Sequence, residues 1–138
     1  MLTLFTKTTN TTTVTLTSGE ETATLTVERP PLLFSSVLDR AIPLGEEGTP
    51  SHNYRLNLRS VLWAAEGIRA SQGLPPHPAI DAGEDVWQKY AEDIAEMFRS
   101  AGLLTVHIRE LASAALDLNI GNVKKTNLTE ALATAGNG

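Results

Sequence analysis

The sequence predicts an α+β fold, an N-terminal antiparallel β-hairpin or meander followed by three to four helices. Three observations predict it. Threonine supplies 12 of the first 26 residues, in alternation with apolar residues. A proline pair at Pro30-Pro31 ends that region. Beyond it the apolar residues recur at steps of three and four, the period of helices with one buried face.

The strands come first. Val14 and Leu16 alternate with Thr13, Thr15 and Thr17, and Ala23, Leu25 and Val27 alternate with Thr22, Thr24 and Thr26. Period-2 alternation of β-branched residues gives a strand one apolar and one polar face. Ser18-Gly19-Glu20-Glu21 between the two runs supplies the turn, because glycine tolerates a positive φ. Leu2 and Leu4 suggest a third strand joined through Thr9-Asn10-Thr11. A hairpin alone is marginal in water, so it must pack on the helices or on another chain.

Proline cannot donate to a strand ladder but is tolerated in a helix's first turn. Phe34, Val37, Leu38 and Ala41 predict a short helix over 31–42. After the loop 43–50, the stripe Leu58, Val61, Leu62, Ala65 and Ile68 predicts a helix over 53–72, stopped by Gly73 and Pro75-Pro76. Asp81 and Glu84 match a capping box at the head of a third helix. Its inner face is Trp87, Tyr90, Ala91, Ile94, Met97, Phe98 and Ala101, and Gly102 falls where a left-handed cap belongs. Ile108, Leu111, Ala112, Ala115 and Leu118 predict the last helix, over 105–118, antiparallel to the third. The expected organisation is one domain over 1–122, with 1–28 β-rich and an interaction arm, 31–121 helical, and 123–138 a flexible tail.

Composition narrows the function classes. The 138 residues are 41% hydrophobic and 20% charged, as in a globular domain. With no cysteine there is no disulfide framework, thiolate metal site or cysteine nucleophile. The N-terminus lacks the basic and apolar regions of a signal peptide, and no apolar run reaches the length of a membrane span. A net charge of -5 argues against direct nucleic-acid or anionic-membrane binding.

Chemistry-bearing patterns are sparse. No phosphate-binding glycine loop, paired-histidine zinc motif or nucleophile elbow occurs. His77 precedes Asp81, Glu84 and Asp85, so a small hydrolase or metal enzyme centred on His77, Asp81 and Asp85 is one reading. Capping and the helix dipole explain the same acids without a metal. Glu92 and Glu96 read as a solvated outer face, and His107 as a surface or interhelical residue. No cofactor or metal is expected.

Charge placement says more. Residues 81–121 carry eight acids and three bases, while the remainder carries eight of each, so the last two helices supply the whole net charge. Arg55 and Arg59 stand one helical turn apart in a segment that also holds Arg69. An acidic and a basic face can meet head to tail in an oligomer, or simply solubilise the chain. A small inhibitor with an acidic face is a further alternative, weakened by the three bases inside 81–121.

The order of parts carries a resemblance. A threonine-rich hairpin running into Glu28-Arg29-Pro30-Pro31, then a short helix and a compact helical remainder, resembles small assembly proteins of tailed bacteriophages. Tail-assembly chaperones are the nearest in layout, with an apolar/polar hairpin leading to an Arg-Pro or Arg-Glu-Pro step. The layout spans about residues 12–118 and the matching letters about 12–31. The resemblance implies a non-enzymatic virion or assembly protein that binds tape-measure or tail-tube subunits, in the virion or the host cytoplasm. A neck or capsid decoration component has the same profile. On this reading the partners are other structural subunits and further copies of the chain. The candidate interaction residues are Val14, Leu16, Leu25 and Val27 on the strands and Arg55 and Arg59 on the helix.

Overall fold

A computed structural model describes residue 4 and residues 9–120, and its fold is α+β. Strands β1 (Thr11–Ser18) and β2 (Glu21–Glu28) form a two-stranded antiparallel sheet, followed by helices α1 (Phe34–Ala41), α2 (Pro50–Gln72), α3 (Glu84–Ser100) and α4 (Thr105–Ile120). The expected tail 123–138 lies outside the described residues, as does most of the suggested third strand. Leu4, which is described, belongs to no strand and is 72% exposed.

The hairpin follows from its turn. Gly19 adopts φ 63° while Glu20 keeps a negative φ, the combination of a type II′ turn. This turn closes Ser18 on Glu21 and sets the register Leu16↔Ala23, Val14↔Leu25 and Thr12↔Val27. These pairs form the inner face. Leu16 and Val27 are buried in the main core with Ala65 and Ile68 of α2, Phe98 of α3, and Leu111 and Ala115 of α4. A second core joins Phe34 and Leu38 of α1 to Leu58 and Leu62 of α2 and Trp87 of α3. The central helix α2 serves both. Its Gly67 is the point of closest approach, since a Cβ there would lie 2.7 Å from Val27 Cγ1 and 3.1 Å from Ala115 Cβ.

Helix ends differ in places from the expectations. Thr49 caps α2 by accepting the His52 N–H at 3.1 Å, and Pro50 occupies the first turn, so α2 starts three residues early. The Asp81–Glu84 capping box does not form. Glu84 is itself the first helical residue, Gly83 is the cap without a side-chain bond, and Asp81 sits in the preceding turn. The expected left-handed glycine is present, with Gly102 at φ 88°. Leu103 N–H to Phe98 O and Gly102 N–H to Arg99 O, each 3.0 Å, complete a Schellman motif between α3 and α4. Among the described residues no helix is long and apolar enough to cross a membrane.

Candidate interaction surface

The hairpin has two faces of different kind, and alternation separates them. Its inner face is anchored to the helices. Its outer face is three consecutive cross-strand threonine pairs, Thr13↔Thr26, Thr15↔Thr24 and Thr17↔Thr22, all exposed. Thr15 Oγ1 and Thr24 Oγ1 share a hydrogen bond at 3.2 Å. Such a face is polar but carries no charge, and its β-branched carbons hold the backbone extended.

The six residues singled out as interaction candidates do not come together. Leu16 and Val27 are core residues, 3% and 0% exposed, so neither offers a contact surface. Val14 and Leu25 pair across the strands at the half-buried edge of the same core. Arg55 and Arg59 belong to a different part of the molecule and fasten the α1–α2 connection. Arg55 Nη1 donates to Pro43 O at 2.6 Å, Arg59 Nε to Ile42 O at 2.9 Å, and Arg59 Nη1 to Asp39 Oδ1 at 3.0 Å. Arg55 also lies 3.9 Å from Glu84 at the head of α3. Their guanidinium forks satisfy carbonyls left over where α1 ends, which is a structural use of arginine.

The histidine cluster is also differently arranged. His77 stacks on Trp87, ring centroids 5.3 Å apart, and its Nδ1 meets Pro78 O at 2.6 Å. Its ionisable neighbour is Glu66, with Nε2 3.9 Å from Oε1, while Asp81 and Asp85 are exposed. No three His, Asp or Glu side chains among the described residues stand where they could hold a metal ion.

Glu66 is the centre of a network that sequence reasoning missed. Its side chain is 5% exposed and pairs with Arg69, which also donates to Tyr90 Oη at 2.7 Å and to Pro75 O at 3.0 Å. Tyr90 Oη donates in turn to Pro75 O at 2.9 Å. The network clamps the proline-rich α2–α3 loop to both helices. Burial works against the Arg69 charge, but the bonds from Tyr90 and Glu66 outweigh it and raise its pKa. Burial raises the Tyr90 hydroxyl above its ordinary value, with Arg69 pulling the other way. The i, i+3 spacing of Glu66 and Arg69 was the available signal.

His107 is not a surface residue but buried, and it faces the hairpin. Its Nδ1 accepts the Leu104 N–H at 3.0 Å, taking the place that Glu holds in a capping box. Nε2 must then carry the proton, and it donates to Thr17 O at 2.7 Å. One imidazole thus caps α4 and pins the tip of β1.

The α2–α3 face holds a shallow cleft of about 360 Å³ bordered by Tyr54, Val61, Glu92, Ala95 and Arg99. Burial and then Glu92 raise the Tyr54 hydroxyl pKa. Glu92 and Glu96 lie on the exposed side as expected, and Glu96 is held by Arg99 Nε at 2.9 Å. Comparison with protein-family models, curated proteins and solved structures gave no match to this chain.

Proposed function

We propose that the chain is a non-catalytic protein–protein interaction module of a tailed-phage particle or of its assembly. The observation that carries the reading is the hairpin itself, anchored by Leu16 and Val27 while an uncharged threonine face and a strand edge look outward. Threonine hydroxyls keep such a surface soluble before assembly, and its extended backbone is ready for a partner. The chemically capable side chains support the same reading by their engagements. Arg55, Arg59, Glu66, Arg69, Tyr90 and His107 all tie loops and helix ends together.

The phage assignment rests on the resemblance in the order of parts, hairpin, Arg29-Pro30 step and helices. Co-expression with tail-tube and tape-measure subunits of a tailed phage tests it. The expected result is a stoichiometric complex in size-exclusion chromatography with light scattering. A chain that stays monomeric beside each structural subunit overturns the reading.

A further inference from the structure

We propose that the free edge of β1 is the binding site, and that it takes an extended segment of a partner protein whose pairing stretch is uncharged and flanked by lysine or arginine. The proposal rests on the interaction reading above and names the site and the chemistry of the partner.

The hairpin register decides which backbone groups face outward. The two-residue turn makes Ser18↔Glu21 a hydrogen-bonded pair, so the even-numbered residues of β1 bond to β2 and the odd-numbered ones point away. Three bonds agree with this parity. Arg29 N–H reaches Asn10 O at 2.8 Å, His107 takes the outward Thr17 O, and Ser71 Oγ takes the outward Thr26 O at 2.8 Å. The outward N–H and C=O groups of Thr11, Thr13 and Thr15 have no partner among the described residues.

Among the described residues that edge is covered only at its tip, where His107 takes Thr17 O. β1 reads TTTVTLTS, eight paired residues with no charge and no proline. On β2, glutamates stand at both ends and Ser71 covers the edge between them. The longest open and neutral run is therefore on β1.

The neighbouring helix gives the charge of the occupant. α4 starts at the tip of the hairpin, where His107 meets Thr17, and reaches its base, where Asn119 Nδ2 donates to Pro31 O at 3.2 Å. It therefore runs the length of β1. At about 1.5 Å per residue the stretch 107–119 spans roughly the length of the strand. His107, Glu110, Ala114 and Asp117 follow at steps of three and four, so they share one side of α4. Glu110 and Asp117 are exposed on it, the side from which His107 takes the outward Thr17 O. An added strand would pass both carboxylates. A second copy of β1 would instead bring two α4 helices together, acid against acid, which disfavours self-pairing.

The probe is a synthetic ten-residue peptide of alternating threonine and valine with a lysine pair at each end, tested beside the same peptide with glutamates. Binding of the lysine peptide should protect the Thr13 and Thr15 amides from hydrogen exchange and weaken as salt is raised. The glutamate peptide should bind roughly tenfold less tightly or worse. Thr15→Pro removes an outward N–H without touching the ladder to β2, and should abolish binding while the melting transition persists. Glu110→Gln with Asp117→Asn, both on the surface, should weaken the lysine peptide even if the proline variant fails to fold.

No protection of these amides, or equal binding of both peptides, overturns the proposal. So does binding that appears only after residues 1–8 are deleted, which would make the chain's own N-terminus the occupant. A self-associated chain dissolved by Thr15→Pro would make a second copy the occupant and overturn it as well. A complex with tail subunits that survives Thr15→Pro refutes the edge and leaves the interaction reading standing.

Discussion

Phe98 and His107 show how a single side chain's worth is set by its surroundings. Phe98 is 3% exposed in the main core, to which the hairpin, α2 and α4 also contribute. Phe98→Ala should cost about 3–5 kcal/mol in urea denaturation, and a loss under about 1 kcal/mol would mean the face is misassigned. His107 does two jobs at once, so His107→Ala leaves the Leu104 N–H and the Thr17 carbonyl without their partner. The expected cost is about 1–3 kcal/mol. Faster exchange should be confined to the hairpin tip and the first turn of α4. Phe98 was legible from spacing alone, whereas His107 was not. Its ring meets a carbonyl 90 residues earlier in the chain, and no local pattern encodes that pairing.

Among elements, α2 is the most shared: β2, α3 and α4 pack on it, and α1 meets it through Phe34 and Trp63. Gly67 allows β2 and α4 to approach it closely, and Val27, fully buried, has no room to yield. Gly67→Ala should therefore destabilise by about 1–3 kcal/mol, although alanine is the better helix former. Pairing it with Val27→Ala should give a loss smaller than the sum of the two. The clamp on the α2–α3 loop has a pH signature. Tyr90 has a raised folded-state pKa, chiefly from burial, so the folded state holds its proton longer than the unfolded state. Stability is then complete below pH 10.0 and falls as pH rises through the folded value. Tyr90→Phe should flatten that alkaline decline in denaturation midpoints, leaving a smaller slope from Tyr54, which is shifted the same way.

For the whole molecule, the hairpin is built into the main core, and this changes what truncation should do. Sequence reasoning treated 1–28 as an interaction arm. With Leu16 and Val27 buried in the core they share with α2 and α4, deletion of 1–28 opens the α2–α4 groove. The truncated chain should lose cooperative unfolding in a calorimetric scan rather than melt as a smaller native body. Chelator treatment should leave the melting temperature unchanged, since the chain has no thiol and the two cores are apolar. A large drop would require a metal in the fold.

Sequence by itself determined the elements. Threonine alternation marked both strands, Gly19 the turn between them, and apolar steps of three and four most of the buried side of each helix, although Met97 and Ala101, read as inward, are exposed. These are local properties, because a residue's place in the strand or helix period is set by its immediate neighbours. Tertiary structure alone decided the partners of the polar groups. Arg55 and Arg59 read as a basic face and turned out to fasten carbonyls at Ile42 and Pro43. Glu66, which sequence reasoning missed, has its side chain buried against Arg69. The edge of β1 is open because no other described element pairs with it, a condition set by how the helices are placed. Hydrogen bonds and ion pairs are satisfied across the fold by whatever packing brings near, and packing depends on all the elements together.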